Sequence, residues 1–425
     1  MALPDMRPKK VEALILGGGI HGVGVLHDLA CRGWKDVLLL ERSALGSGTS
    51  SRSTKLIHGG LRYLQRISQV GMVSQSLNER GFLLDIAPDI VFPLEILIPL
   101  AKGSGPFFPS KVRVGLSLYD FIAGRHKIHT HRTIPKAELA EKVPCLDSIM
   151  FRGALSFWDA QTDDLALVRR VAKSALKMGG QIAEHCEAIK LESDQEVGWS
   201  VTVRTEDGER IIRTPYVINC LGPWSNLFIE KSGLEPPYKG VSNKGTHIIL
   251  KDLGLTAGLF LRAKEDKRMV FVLPWQGYTL VGTTESRYDG HPDALKVEEN
   301  EVDYLLKVCG GALKKNLSLQ RSDVLSAFSG LRWLAVEKRK SLTATSRETV
   351  LGENFANGFE ETKRGVMITV YGGKLTSYRA LAEKIGDHLA QYCGDFYQSS
   401  THKIESWIQS DEDPLPPPSV IQRFL

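Results

Sequence analysis

The sequence predicts an α/β protein: a Rossmann-like, dinucleotide-binding βαβ domain joined to a second, discontinuous domain of α+β type with a mixed or antiparallel sheet. Three observations predict it. Val11 to Leu16 is a short apolar run that enters a glycine turn, as a strand buried on both faces does. Between residues 244 and 285 three β-rich segments, GTHIIL, RMVFVLPW and YTLVGTTE, are separated by turn signals. The chain's 425 residues suffice for about two to three domains, each with its own core.

The βαβ unit can be justified element by element. Its turn reads Gly17-x-Gly19-x-x-Gly22, and Ile20, Val23, Val25, Leu26 and Leu29 then mark a helix that Gly33 can end. A second strand, Val37 to Leu40, finishes at Glu41, about 20 residues past the glycines, where this fingerprint places the acid that accepts from a ribose hydroxyl. The glycines let the backbone approach a pyrophosphate, and the helix N-terminus offers it partial positive charge. They do not choose between NAD and FAD. Ser47 to Ser53, SGTSSRS, is costly to bury without hydrogen-bond partners, so it is expected to line a polyol and a diphosphate. Lys55, His58, Gly59, Gly60, Arg62 and Tyr63 follow directly, setting cations, an imidazole and close-approach glycines beside that loop.

Composition excludes several classes. A net charge of +5 is mild, and no basic run interleaved with aromatics resembles a nucleic-acid reader, so no nucleic-acid partner is expected. The six cysteines lack CxxC spacing, which argues against a disulfide framework and a zinc site and fits a reducing compartment; they are expected as small apolar residues. No metal is expected. The amino terminus lacks an uninterrupted apolar signal core, and no apolar stretch reaches the roughly 20 residues of a spanning helix. The expected location is cytoplasmic, with a peripheral place on the cytoplasmic membrane face open.

The rest of the chain alternates helical and strand patterns. Val70, Val73, Leu77 and Leu84 recur at helical spacing before Pro88. Residues 91–127 admit two readings, an interfacial helix at a membrane or a buried helix with basic ends. Val112, Val114, Leu116, Leu118, Phe121 and Ile122 do not keep to one face, and Lys102, Lys111, Arg113, Arg125 and Lys127 lie among them. Asp163 or Asp164 can cap a helix that Gly179 and Gly180 terminate. Ile189 to Ile212 reads as a β meander, and Tyr216 to Trp224 as a strand entering a glycine turn. A helix near Val297 to Cys309 precedes strands in VLSAFSGLRWL and TSRETVL. Ile368 to Arg379 then supplies a strand, the turn at Gly372 and Gly373, and a helix start.

GGGIHGVG, ER and GTSSRSTKLIHGGLRYL together resemble the amino-terminal signature of the FAD-dependent glycerol-3-phosphate dehydrogenases, within the flavoprotein class that includes amino-acid oxidases. The likeness runs from about residue 10 to about residue 393, through KGTHIIL, GTT, SGLRWL and GGKLTSYR. Cys220 and Leu221, Glu285 and Trp333 depart from the family's commoner residues. The resemblance implies an FAD-binding domain over 10–90, 152–240 and 350–395, a substrate domain over 91–151 and 241–349, and a polar, proline-rich tail over 396–425 where the family continues into a helical domain. It also implies oxidation of sn-glycerol 3-phosphate to dihydroxyacetone phosphate, with electrons passed to a quinone. The cofactor contacts implied are Gly17, Gly19, Gly22, Glu41, Arg42, Thr49, Ser50, Ser51, Lys55, His58, Gly59, Gly222, Gly373, Lys374, Leu375 and Thr376.

Moving a hydride from a secondary alcohol to flavin needs a base, an anchor for the substrate's charge, and stabilisation of the reduced flavin. Arg332 and Arg347, assisted by Arg62 and Tyr63, are the expected phosphate anchor, because guanidinium forks suit a dianion. His247 is the first candidate base and also touches substrate; His58 is the second. The helix expected after Gly373 would turn its positive end toward the flavin, with Lys374 and Thr376 nearby. The alternatives are an oxidase using oxygen or acting on an amine or amino acid, and a flavin-binding protein without turnover.

Overall fold

The computed structural model describes residues 9–65, 69–103, 107–335, 349–359, 364–394 and 398–408. These form two compact units. One takes the described residues of Met1–Ser53, Asp163–Asn243 and Leu331–Asp411, and the other those of Thr54–Thr162 and Lys244–Gly330.

The first unit is built on a six-stranded sheet ordered Val350–Phe355, Val366–Tyr371, Tyr216–Asn219, Ala13–Leu16, Val37–Leu40, Gln181–Ala183. All neighbours pair parallel except the edge strand Val350–Phe355. Every residue of Ala13–Leu16 and Val37–Leu40 is buried, as central parallel strands with no polar alternation require. Helix Ile20–Cys31 connects these two strands, and Arg32 and Gly33, the latter at φ +88°, end it. Helix Asp164–Lys177 is capped by Asp163, whose carboxylate accepts from the amides of Leu165 and Ala166. The expected meander is a second sheet, with Glu187–Asp194, Gly198–Thr205 and Gly208–Thr214 pairing antiparallel. Helix Tyr378–Cys393 begins five residues later than Gly373, so Lys374, Leu375 and Thr376 belong to a turn rather than to a helix start.

The second unit carries a ten-stranded mixed sheet. Residues 54–90 and 152–162, expected in the cofactor domain, cluster here. Pairing decides this: Leu56–Ile57 lies antiparallel to Phe151–Thr162, which pairs along its length with Val91–Ala101. Val73 and Leu77 of helix Val70–Ile86 enter the same core as Ile96, Leu155 and Phe157. The ambiguous stretch at 91–127 therefore opens with an 11-residue strand, and helix Phe107–Ala123 follows it. That helix buries Leu116, Tyr119 and Ala123 and exposes Val114, Leu118 and Phe121. The three segments expected as strands lie in Gly240–Lys251, Met269–Trp275 and Tyr278–Gly282, and a further strand, Gly258–Arg262, pairs with the second of them.

Among the described residues no helix is long and apolar enough to cross a membrane, and no cluster of metal-ligating side chains occurs. All six cysteines are free; Cys145, Cys186 and Cys309 are buried, and Cys31, Cys220 and Cys393 are half-buried.

Candidate functional site

In the first unit the glycine turn closes on itself. Gly17 has φ +99°, and a Cβ there would sit 2.7 Å from the Cys220 carbonyl oxygen; a Cβ at Gly22 would sit 1.9 Å from the Gly17 carbonyl oxygen. Only glycine fits either place. Gly19 is the N-cap of helix Ile20–Cys31, with no side-chain cap and no acidic residue in the first turn. Glu41 turns back onto this loop, its carboxylate accepting from the amides of Gly18 at 2.7 Å and Ser43 at 2.8 Å. Arg42 stacks its guanidinium over Trp224, 4.7 Å from the ring centre.

The hydroxyl-rich segment is a short 3-10 helix, Thr49–Arg52, against the same turn. Ser50 Oγ accepts from the Ile20 amide at 2.9 Å, Thr49 donates to the Leu331 carbonyl at 2.9 Å, and Ser53 donates to Asp164 at 2.8 Å. Thr49 thereby ties this segment to the strand that carries Arg332. Gly222, at φ +58°, opens the turn after Tyr216–Asn219. Beside Arg332, Trp333 fills the space over Gly240 and packs on Tyr371 with ring centres 4.6 Å apart.

His21 was not among the expected residues. It stands in the first turn of the nucleotide helix, and its ring lies so close to Gly373 (φ +97°) that a Cβ there would approach Cε1 to 2.4 Å. Its Nε2 is buried with no hydrogen-bond partner among the described residues. Burial pushes its pKa down to about 4, partly offset by a hydrogen bond with the Lys374 backbone, so the ring is neutral at pH 7. A polar residue interrupting the apolar pattern of GIHGVG is the signal that marks it.

The second unit holds the other expected residues. His247 lies on Gly240–Lys251 and is 1% exposed. Its imidazole stacks on Phe328 at 5.0 Å and lies over Gly282, its cross-strand partner, where a Cβ would come within 2.1 Å of Cδ2. Nε2 is 2.9 Å from Thr54 Oγ1, a residue absent from the expected set. The opposite face of the strand is tied down by a buried polar chain. Thr246 donates its amide to Thr284 Oγ1 at 2.9 Å and shares a hydroxyl hydrogen bond with Ser329 at 2.7 Å. Thr284 donates to Glu301, whose other oxygen pairs with Lys244 at 2.7 Å.

Lys55 is fully buried, at φ +60°, with its ammonium 5.2 Å from the Trp275 ring centre and 5.3 Å from that of Phe328. The Gly59 amide donates to Tyr119 Oη at 2.9 Å and to Asp159 at 3.2 Å, and Arg80 pairs with Asp159 at 2.8 Å. His58 and Arg62 flank this anchored Gly59–Gly60 pair. Arg62 is exposed, 3.9 Å from Glu285, and Tyr63 packs against the core of the unit. The expected residues thus divide. The glycine turn, Glu41, Arg42, Thr49–Ser51, Gly222, Arg332 and Gly373–Thr376 belong to the first unit, and Lys55, His58, Gly59, Arg62, Tyr63 and His247 to the second. Arg347 lies outside the described residues.

Residues 12–379 match the model of the family described as FAD dependent oxidoreductase. The chain belongs to the FAD-dependent oxidoreductases. Over 381 residues it is 35% identical to D-erythritol 1-phosphate dehydrogenase of Brucella abortus (strain 2308), covering 89% of this chain and 73% of that protein. It is 33% identical to the aerobic glycerol-3-phosphate dehydrogenase of Escherichia coli (strain K12), covering 90% and 74%. Among solved structures, the glycerol-3-phosphate dehydrogenase from Bacillus halodurans complexed with FAD superposes with a TM-score of 0.73 at 26% identity, over 94% of this chain and 68% of that one.

This FAD-dependent oxidoreductase therefore uses FAD, and its own residues fit that group. The turn is drawn so tight that backbone carbonyls exclude any side chain at Gly17 or Gly22, which leaves its main chain bare for a close approach by the cofactor, and the buried Nε2 of His21 offers an unmet polar contact beside Gly373. FAD supplies a two-electron acceptor, which is the chemistry no side chain of the chain can provide.

Proposed function

We propose that this oxidoreductase oxidises the secondary alcohol of a short polyol phosphate, sn-glycerol 3-phosphate in the first place, to the ketone. The hydride passes to flavin N5 and the electrons onward to a quinone. The observation that carries the reading is the likeness, above 30% identity, to two dehydrogenases named for phosphorylated polyols. In this reading Gly17, Gly19, Gly22, Glu41, Arg42, Thr49, Ser50, Ser51, Gly222 and Gly373–Thr376 hold the dinucleotide, with Lys55, His58 and Gly59 toward the flavin. Arg62, Tyr63, Arg332 and Arg347 take the phosphate, because a dianion is best met by several guanidinium forks. His247 removes the alcohol proton. An imidazole is the side chain whose ordinary titration range suits proton transfer near neutral pH.

Anaerobic addition of substrate to the yellow holoprotein tests this. sn-Glycerol 3-phosphate is expected to bleach the flavin, glycerol and amino acids to leave it oxidised. Bleaching by D-erythritol 1-phosphate alone would move the substrate to a four-carbon polyol, and bleaching by amino acids alone would sink the reading.

A quinone acceptor brings the protein to a lipid surface, and helix Phe107–Ala123 supports a peripheral contact there. Val114 and Phe121 are 71% and 82% exposed, with Leu118 between them on one stripe, and Lys111, Arg113, Arg125 and Lys127 surround it. Sedimentation with anionic vesicles is expected for the intact protein and strongly reduced for Phe121→Asp. Absence of vesicle binding by the intact protein removes the contact.

A further inference from the structure

We infer that Thr54 is the hydroxyl through which His247 receives the substrate's proton, an inference that rests on the reading of His247 as the base. The imidazole has little freedom. Phe328 covers one side in near-parallel stacking, 13° between planes, and the backbone at Gly282 lies within reach of the ring edge. Strand pairing with Tyr278–Gly282 fixes the main chain beneath it, and the Thr246–Thr284–Glu301–Lys244 chain holds the strand from its other face. His247 is almost wholly inaccessible, whereas Thr54 is half-buried and reaches Nε2 at 2.9 Å. A proton arriving at Nε2 therefore passes through the Thr54 hydroxyl.

The backbone at this point is shaped for the contact. Lys55 adopts φ +60°, a conformation unfavourable for a residue with a Cβ. It turns the Lys55 side chain under Trp275 and Phe328 while Thr54 faces His247. The assignment makes Thr54 the donor and unprotonated Nε2 the acceptor, with the ring proton on Nδ1. In turnover the alcohol O–H bond breaks as its proton moves to Thr54 Oγ1, and the Thr54 proton moves to Nε2, leaving threonine neutral and an imidazolium. The electron pair of the breaking C–H bond leaves as hydride to the flavin of the holoenzyme. Water at the end of turnover takes the proton back by the reverse relay.

The test uses holoenzyme variants Thr54→Val, Thr54→Ser and His247→Gln. Thr54→Val keeps the branched shape and removes the hydroxyl. It is expected to slow flavin reduction by sn-glycerol 3-phosphate at least tenfold with substrate affinity within threefold, and Thr54→Ser to restore the rate to within threefold of the parent. Independently of turnover, nitrogen-15 NMR of histidine-labelled protein is expected to show His247 with unprotonated Nε2, a tautomer that is redistributed in Thr54→Val and recovered in Thr54→Ser. A proton resident on Nε2 in the parent, or a Thr54→Val enzyme reducing its flavin at the parent rate, overturns the relay. If His247→Gln loses the rate while Thr54→Val keeps it, the relay alone fails; if His247→Gln also keeps it, the base reading fails with it.

Discussion

The glycine turn of the first unit and the His247 strand of the second both place chemistry at a rigid point, by opposite means. At the turn the rigidity is backbone and local. Gly17, Gly19 and Gly22 sit within six residues, and the Glu41 carboxylate one strand away and Ser50 Oγ brace them. At His247 the rigidity is made of side chains drawn from far along the chain: Thr54, Gly282, Phe328 and, behind the strand, Ser329 and Glu301. A site of the first kind is broken by adding one carbon. A site of the second kind is degraded piece by piece.

Three experiments sharpen this contrast. The largest effect is expected at the turn. Gly22→Ala sets a methyl 1.9 Å from the Gly17 carbonyl oxygen, which no rotamer relieves, so the protein should purify colourless and fail to take up FAD on reconstitution. A yellow Gly22→Ala protein with parent affinity would show that the turn yields. Next is the support behind His247. Lys244→Met strands the buried Glu301 carboxylate, and a loss of about 3–5 kcal/mol is expected in denaturant unfolding, whereas the double variant Lys244→Met, Glu301→Leu should regain most of it. Equal instability of the single and double variants would mean that packing, not charge, is at stake.

The smallest effect concerns acid. His21 and His27, both in the first unit, have pKa values pushed down from 6.5 to about 4, mainly by burial. His27 donates from Nε2 to the Ser406 carbonyl and meets Trp407 edge-on. Between these values the unfolded chain binds protons that the folded chain does not, so stability falls as pH drops from about 6.5 toward 4. Thermal melts across that window should show the decline, and His27→Gln should flatten its slope without moving the melting temperature above pH 7 by as much.

What could be read in advance follows the same division. The strands at 13–16 and 37–40, the glycine fingerprint, the Asp163 cap and the meander all rest on interactions between near neighbours, and their patterns are visible in a single sequence. The stretch 91–127 was not, because residues 94–98 of strand Val91–Ala101 are buried on both faces, and such an apolar run mimics a helix until Phe151–Thr162 pairs with it. Helix Phe107–Ala123 showed no single apolar face for a physical reason: Leu116, Tyr119 and Ala123 serve the core while Val114, Leu118 and Phe121 face outward. His247 could be singled out as a candidate base, but not its burial or its partner, since Thr54 is 193 residues away.

The sequence by itself determined a dinucleotide-binding βαβ unit, because that unit depends on backbone geometry that glycines and a nearby acid satisfy, and its longer motifs, GTSSRSTKLIHGGLRYL above all, carried the resemblance to the flavin family. Only the tertiary structure decided that residues 54–90 join the second unit, that Lys374–Thr376 form a turn ahead of the helix, and that the Thr54 hydroxyl meets the His247 imidazole. Those outcomes come from strand pairing and side-chain contact across long separations, which no local pattern encodes.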